Sequence, residues 1–102
     1  ALREAVRLDK ESWLAQFELG RALLEYGLAD QAQPHAQRAH ELNPKARNVH
    51  LLLHNVCMEL GDYQTALAEV SEFLELFPED ERAAALRERG DLLRQSLQAV
   101  AK

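Results

Sequence analysis

The chain has 102 residues, 47% apolar and 28% charged, with a formal net charge of −5 and a single cysteine, Cys57. This length suits one compact domain or a short repeat array, and this composition suits a folded helical protein. No stretch approaches the ~20 apolar residues of a membrane span. The negative balance argues against a nucleic-acid footprint, which needs a concentrated basic face, and one cysteine makes no intrachain disulfide.

Residues 1–8 read as a helix already in progress, with Leu2, Ala5, Val6 and Leu8 on one face and Arg3, Glu4 and Arg7 on the other. Ser12 is the expected N-cap of a second helix over residues 13–26. Gly27 then ends it in the left-handed region that glycine tolerates. A third helix is predicted over 29–42 and stops at Asn43-Pro44, because the residue before proline avoids the helical region. Ala32, Ala36 and Ala39 give it a stripe of small residues. With Asp30 as its N-cap, Pro34 removes an early donor, so a kink or a late start is expected. A fourth helix spans 46–60 and ends at Gly61. Asp62 caps a fifth over 63–77, which Pro78 terminates. Asp80 caps the last, over 81–100. Its stripe of Leu86, Gly90, Leu93, Leu97 and Val100 is spaced 4, 3, 4 and 3, the signature of one helical face. Gly90 costs helix propensity, which predicts a close approach by a neighbouring helix.

These elements repeat. Gly27 falls on Gly61, Ala32 on Ala66, Leu42 on Leu76 and Pro44 on Pro78, each 34 residues on. Residues 5–9 match residues 39–43 in the same register, so the chain is expected to open inside the second helix of an upstream repeat. Lys10 stands where the later copies have proline. His54 occupies the place of Gly20, and Phe73 that of Ala39. That pattern reads as a size exchange within one core layer, which volume-conserving packing permits.

Few residues invite chemistry. His50 and His54 stand one turn apart, as a metal pair would. A zincin, however, would need Glu after His50, and Leu51 is there. No third ligand is forced near, since His35 and His40 on the preceding helix need not converge with them. The expectation is a packed or half-exposed histidine pair and no metal. Cys57, between Val56 and Met58 with no basic residue beside it, reads as a buried structural thiol. The carboxylates look spread along solvated faces, with no isolated pair for acid–base work. There is no phosphate-binding glycine loop and no nucleophile elbow. Neither catalysis nor a cofactor is expected.

The 34-residue period, with Leu19-Gly20, the turn glycine Gly27, the small residues Ala32 and Ala39, and the closing Pro44, resembles the tetratricopeptide repeat. The resemblance implies an all-α, right-handed α-solenoid of antiparallel helix pairs with a long C-terminal capping helix. Residues 1–10 would be the second helix of a truncated repeat, 11–44 and 45–78 full repeats, and 79–102 the cap. Val70 stands where the family usually carries a large aromatic.

In such arrays the first helices of successive repeats line a concave groove for peptides or extended protein segments. Carried over, the groove set is Leu14, Phe17, Arg21, Leu24 and Glu25, then Asn48, Leu51, Asn55, Met58 and Glu59, then Arg82, Ala85 and Arg89. The competing view is that Leu14, Phe17, Leu51 and Met58 simply pack against neighbouring helices. One branch of the family grips terminal carboxylates of chaperone tails with Lys and Asn. Here Phe17 and Leu51 stand where that clamp wants polar contacts, and only Asn55 and the arginines fit it loosely. The function implied is a protein-interaction module. The alternative is an accessory segment of a larger enzyme, and self-association through the N-terminal half-repeat is a further expectation.

Overall fold

A computed structural model describes residues 12–101. The helix expected over residues 1–8, and self-association through it, lie outside the described residues. Among these residues there are five helices and no strand: α1 (Trp13–Glu25), α2 (Ala29–Leu42), α3 (Arg47–Leu60), α4 (Tyr63–Leu76) and α5 (Ala83–Ala101). Each helix packs on the next in the chain, and α1 also touches α3.

The punctuation works bond by bond. The Ser12 hydroxyl accepts from the Ala15 amide at 3.2 Å, and the Asp62 carboxylate accepts from the Thr65 amide at 3.2 Å. Each satisfies one of the orphan donors at a helix start. Gly27 and Gly61 hold φ of 77° and 78°. After them the Leu28 amide donates to the Leu23 carbonyl and the Asp62 amide to the Cys57 carbonyl, both at 2.9 Å. These six-to-one closures are the same C-terminal device, 34 residues apart. The ends of α2 and α4 also match, with Asn43 donating to Ala39 at 2.9 Å and Phe77 to Phe73 at 2.8 Å.

Three expectations need correction. Helix α2 spans Ala29–Leu42 as expected, but Leu28 and not Asp30 stands at its N-cap, and it runs unbroken through Pro34. This leaves Asp30 in the first turn, where its charge complements the helix dipole without capping. Gly90 does not mark an obligatory close approach: a Cβ there would lie 3.5 Å from Val70 Cγ1, an ordinary contact. The substitutions between pairs are not a size exchange either. Gly20, Ala36 and Ala39 become His54, Val70 and Phe73, all larger, and Phe73 and His54 are fully buried.

The core runs through the stack in linked clusters. Leu19, Leu23, Ala32, Ala36, Ala39, Val49, Leu52, Leu53 and Val56 join α1, α2 and α3. Cys57, Ala66 and Leu93 form a second cluster, and Val70, Phe73 and Leu86 a third, which fasten α5 to the array. The α5 stripe covers α4 through Leu86 and Leu93, then runs into water, with Val100 85% exposed.

The connection before α5 is tied by Asp80, whose side chain is only 3% exposed. It accepts from Arg47 at 2.7 Å, from the Arg82 guanidinium at 2.9 and 3.1 Å, and from the Arg82 amide at 2.8 Å. These donors, with Arg82 foremost, hold its carboxyl well below the usual carboxylate range. This carboxylate is therefore not on a solvated face as the sequence suggests. Arg47 also lies over the Phe77 ring at 4.4 Å, a cation–π contact that locks the same turn.

Candidate peptide groove

Spacing on α1 puts Phe17, Arg21 and Leu24 on one face, and the matching face of α3 carries Asn48, Leu51 and Asn55. Because α1 touches α3, these faces meet. Together with Glu25, Leu52 and Arg82 they line a depression of about 560 Å³. A second, of about 440 Å³, is lined by Leu24, Glu25, Gly27, Asn55, Met58, Glu59 and Arg89. The two share Leu24, Glu25 and Asn55, so they are parts of one groove running from Arg82 to Arg89.

Eleven of the thirteen groove candidates come together here: Phe17, Arg21, Leu24, Glu25, Asn48, Leu51, Asn55, Met58, Glu59, Arg82 and Arg89. Leu14 extends the same α1 row by one turn but lines neither depression and is 51% exposed. Ala85, exposed on α5, lines neither as well. Leu52, 5% exposed, is a wall residue that the sequence reading does not name. The floor side chains do two things at once. Phe17 and Leu24 are half-buried against the first core cluster, Met58 against the second and Leu51 against the third. Packing holds each ring or chain in place while one side faces the groove.

The charges are arranged unequally. Arg21 pairs with Glu18 at 2.6 Å and Glu25 at 3.0 Å on its own helix, and these acids raise its pKa further. Arg82 is committed to Asp80 and only brushes the Asn48 amide oxygen at 3.5 Å. Among the described residues, Arg89 makes no hydrogen bond or ion pair. Asn48 and Asn55 are exposed and offer both donors and acceptors.

The histidines sort differently from the sequence expectation. His50 and His54 are both fully buried. His54 Nδ1 donates to the Ala66 carbonyl on α4 at 2.8 Å. Burial lowers its pKa, and Arg89 adds to the effect. His50 Nε2 donates to the Pro44 carbonyl at 2.7 Å while Nδ1 faces Glu69 Oε2 at 3.0 Å. The hydrogen bond to Glu69 raises its pKa against the cost of burial. His40 does converge with His50: the rings meet edge to face at 5.0 Å between centroids. His35 instead reaches Gln16 at 2.9 Å. Cys57 is buried, and its pKa is raised by burial first and by Asp62 and Glu69 after it.

The sequence reading missed one repeated device. Gln16–His35 and His50–Glu69 are the same two positions, 34 residues apart, each joining the first helix of a pair to the second. The period pointed to it, but the residue types differ.

Consecutive helix pairs stacked through a shared core define an α-solenoid. The sequence profile of the tetratricopeptide repeat matches residues 23–90, and the chain belongs to that family. Its fold suggests a protein–protein interaction module. Seventeen chains of solved structure are similar. Among them is the tetratricopeptide-repeat domain of Arabidopsis OM64, 24% identical, with a TM-score of 0.79 over 87% of this chain and 74% of that one. Comparison with the curated proteins finds no match.

Proposed function

We propose that the α1–α3 groove binds an extended segment of a protein partner. The observation that carries this reading is a continuous trough with an apolar, pre-packed floor and exposed amides at Asn48 and Asn55 along it. Amides pair with the backbone of an extended chain, whatever its side chains, while Phe17 and Leu51 offer apolar contacts. Preorganised floor residues reduce the ordering cost of binding. Arg89, without an ion pair among the described residues, is a cation available to an acidic group on the ligand. Arg21 and Arg82 must first give up a carboxylate.

The test is selection of a displayed random-peptide library on the protein, then titration of the enriched peptides. Phe17→Ala and Arg21→Glu should each weaken binding, by about 2 kcal/mol or more if they are hot spots. Peptides that bind parent and both variants equally would place the site elsewhere. If Phe17→Ala lowers stability by roughly 3–5 kcal/mol, as a core aromatic does, Phe17 is core and the half-exposed Arg21 decides alone.

A further inference from the structure

Behind the groove, where the end of α2 meets α3 and α4, four side chains converge that the peptide reading does not use. We propose that His40, His50, Glu69 and Glu72 form a binding site for one divalent transition-metal ion of the zinc type. One ligand atom from each lies within 4.8 Å of every other. This reverses the expectation of no metal, which rested on pairing His50 with His54.

The tautomer of His50 carries the argument. Its Nε2 lies 2.7 Å from the Pro44 carbonyl, which can only accept, so Nε2 holds a hydrogen. In the neutral ring Nδ1 is then a lone pair, and it points at a carboxylate oxygen 3.0 Å away. Two acceptors face each other in a site where His50 is fully buried. A cation belongs between them. A proton would satisfy this pair, but it would leave His40 unexplained. His40 Nε2 is buried and has no hydrogen-bond partner among the described residues. A metal ion accounts for both nitrogens together, with the hydrogen of the neutral His40 ring on its Nδ1.

The chemistry of the set agrees. Two neutral imidazoles and two carboxylates balance a dipositive ion. Mixed nitrogen and oxygen donors suit zinc, cobalt or nickel, whereas magnesium and calcium prefer oxygen throughout. The Pro44 carbonyl already plays the part of the outer-shell acceptor that orients a ligating histidine. A tetrahedral ion with bonds of about 2.0–2.2 Å sets its ligand atoms about 3.4 Å apart. Closing the site therefore asks for shifts of about an ångström, which the long, partly solvated glutamates can make. The first pair supplies an internal control. Its matching positions are Gln16, His35 and Arg38, and a guanidinium stands where Glu72 would ligate.

The experiment uses the whole chain, stripped with a chelator and titrated with zinc and with cobalt(II). One equivalent of zinc should bind and raise the melting temperature, and cobalt should give visible d–d absorption with nitrogen and oxygen ligands. His40→Ala and Glu72→Gln should each weaken zinc binding at least about 10–100-fold, the loss already typical of outer-shell changes. No bound equivalent in the parent overturns the proposal, since a proton then suffices. Equal binding by parent and both variants also overturns it, because the ion then sits elsewhere. Should His40→Ala fail to fold, Glu72→Gln, on a partly solvated side chain, decides the matter.

Discussion

The two helix pairs keep one register but solve their interiors in opposite ways. Between α1 and α2, Gly20 lies against Ala32 and Ala36, and the fit is close. A Cβ on Gly20 would sit 3.2 Å from Leu52 Cδ2, 3.4 Å from the Ala36 amide and 3.5 Å from the Ala32 carbonyl. Between α3 and α4 the matching position is His54, and the carbonyl that matches Ala32 is Ala66. There a whole imidazole lies between the helices and donates to that carbonyl at 2.8 Å. Val70 and Phe73 fill the rest, 1% and 0% exposed. Register is therefore set by the terminators, Gly27 and Gly61 and the bonds around them, and not by the interior volume. A repeat can be widened from within without losing its place in the array. The polar cross-brace changed too, from Gln16–His35, with one titratable side chain, to His50–Glu69, with two.

The largest test of this contrast is Phe73→Ala. If the second pair is held open by large residues, the change leaves a cavity under α5 and costs about 3–5 kcal/mol in urea unfolding, as buried aromatics do. A loss below about 1 kcal/mol would mean that α4 simply closes onto α3, as α2 does onto α1. The reciprocal change is Gly20→Leu. Leucine favours helix by up to about 1 kcal/mol over glycine, yet here it must push Leu52 aside and meet backbone on α2. Overpacking of this kind costs about 1–3 kcal/mol, so a net drop in the urea midpoint is expected. A midpoint equal to or above the parent's would show that the first pair can open like the second.

How much of this was legible follows from the same contrast. The 34-residue period, the glycines and the caps Ser12 and Asp62 are local signals, and the helices stand where these put them. The candidate groove residues came from the family resemblance, which puts the first helices of successive pairs along one side, and α1 and α3 do occupy equivalent places. Leu14 fell outside because a helical row continues past the end of the trough it lines. Asp80 accepts from the Arg82 amide in keeping with the cap expected of it, but its burial was hidden because that depends on Arg47, 33 residues away. The convergence of His40 with His50 was hidden for a related reason. The turn at Pro44 folds α2 back beside α3, and only the path of that turn says which histidines meet. Spacing along one helix pointed to His54 instead, whose ring is drawn off by a carbonyl on α4.

The smallest effect tests the widened interior through its protonation. His54 is buried with Nδ1 donating to Ala66 and Nε2 without a partner among the described residues. Burial lowers its pKa below the ordinary 6.5, and Arg89 adds to this. In the unfolded chain the ring titrates near that ordinary value. Above about pH 6.5 it is neutral in both states, and the full contribution to stability is present. As pH falls below that value the unfolded chain takes up the proton first, so stability is lost between the ordinary pKa and the lowered one. His54→Gln isolates this effect. The amide can still donate to the Ala66 carbonyl but stays neutral at every pH. His50, whose pKa is shifted the other way, is present in both proteins and cancels in the difference. Unfolding in urea at several pH values between about 8 and 5 should therefore show the parent losing ground to the variant only on the acid side of the ordinary histidine pKa. A gap that stays constant over that range would mean that a protonated ring fits between α3 and α4 as well as a neutral one. The second pair would then be open to water there, not only wider.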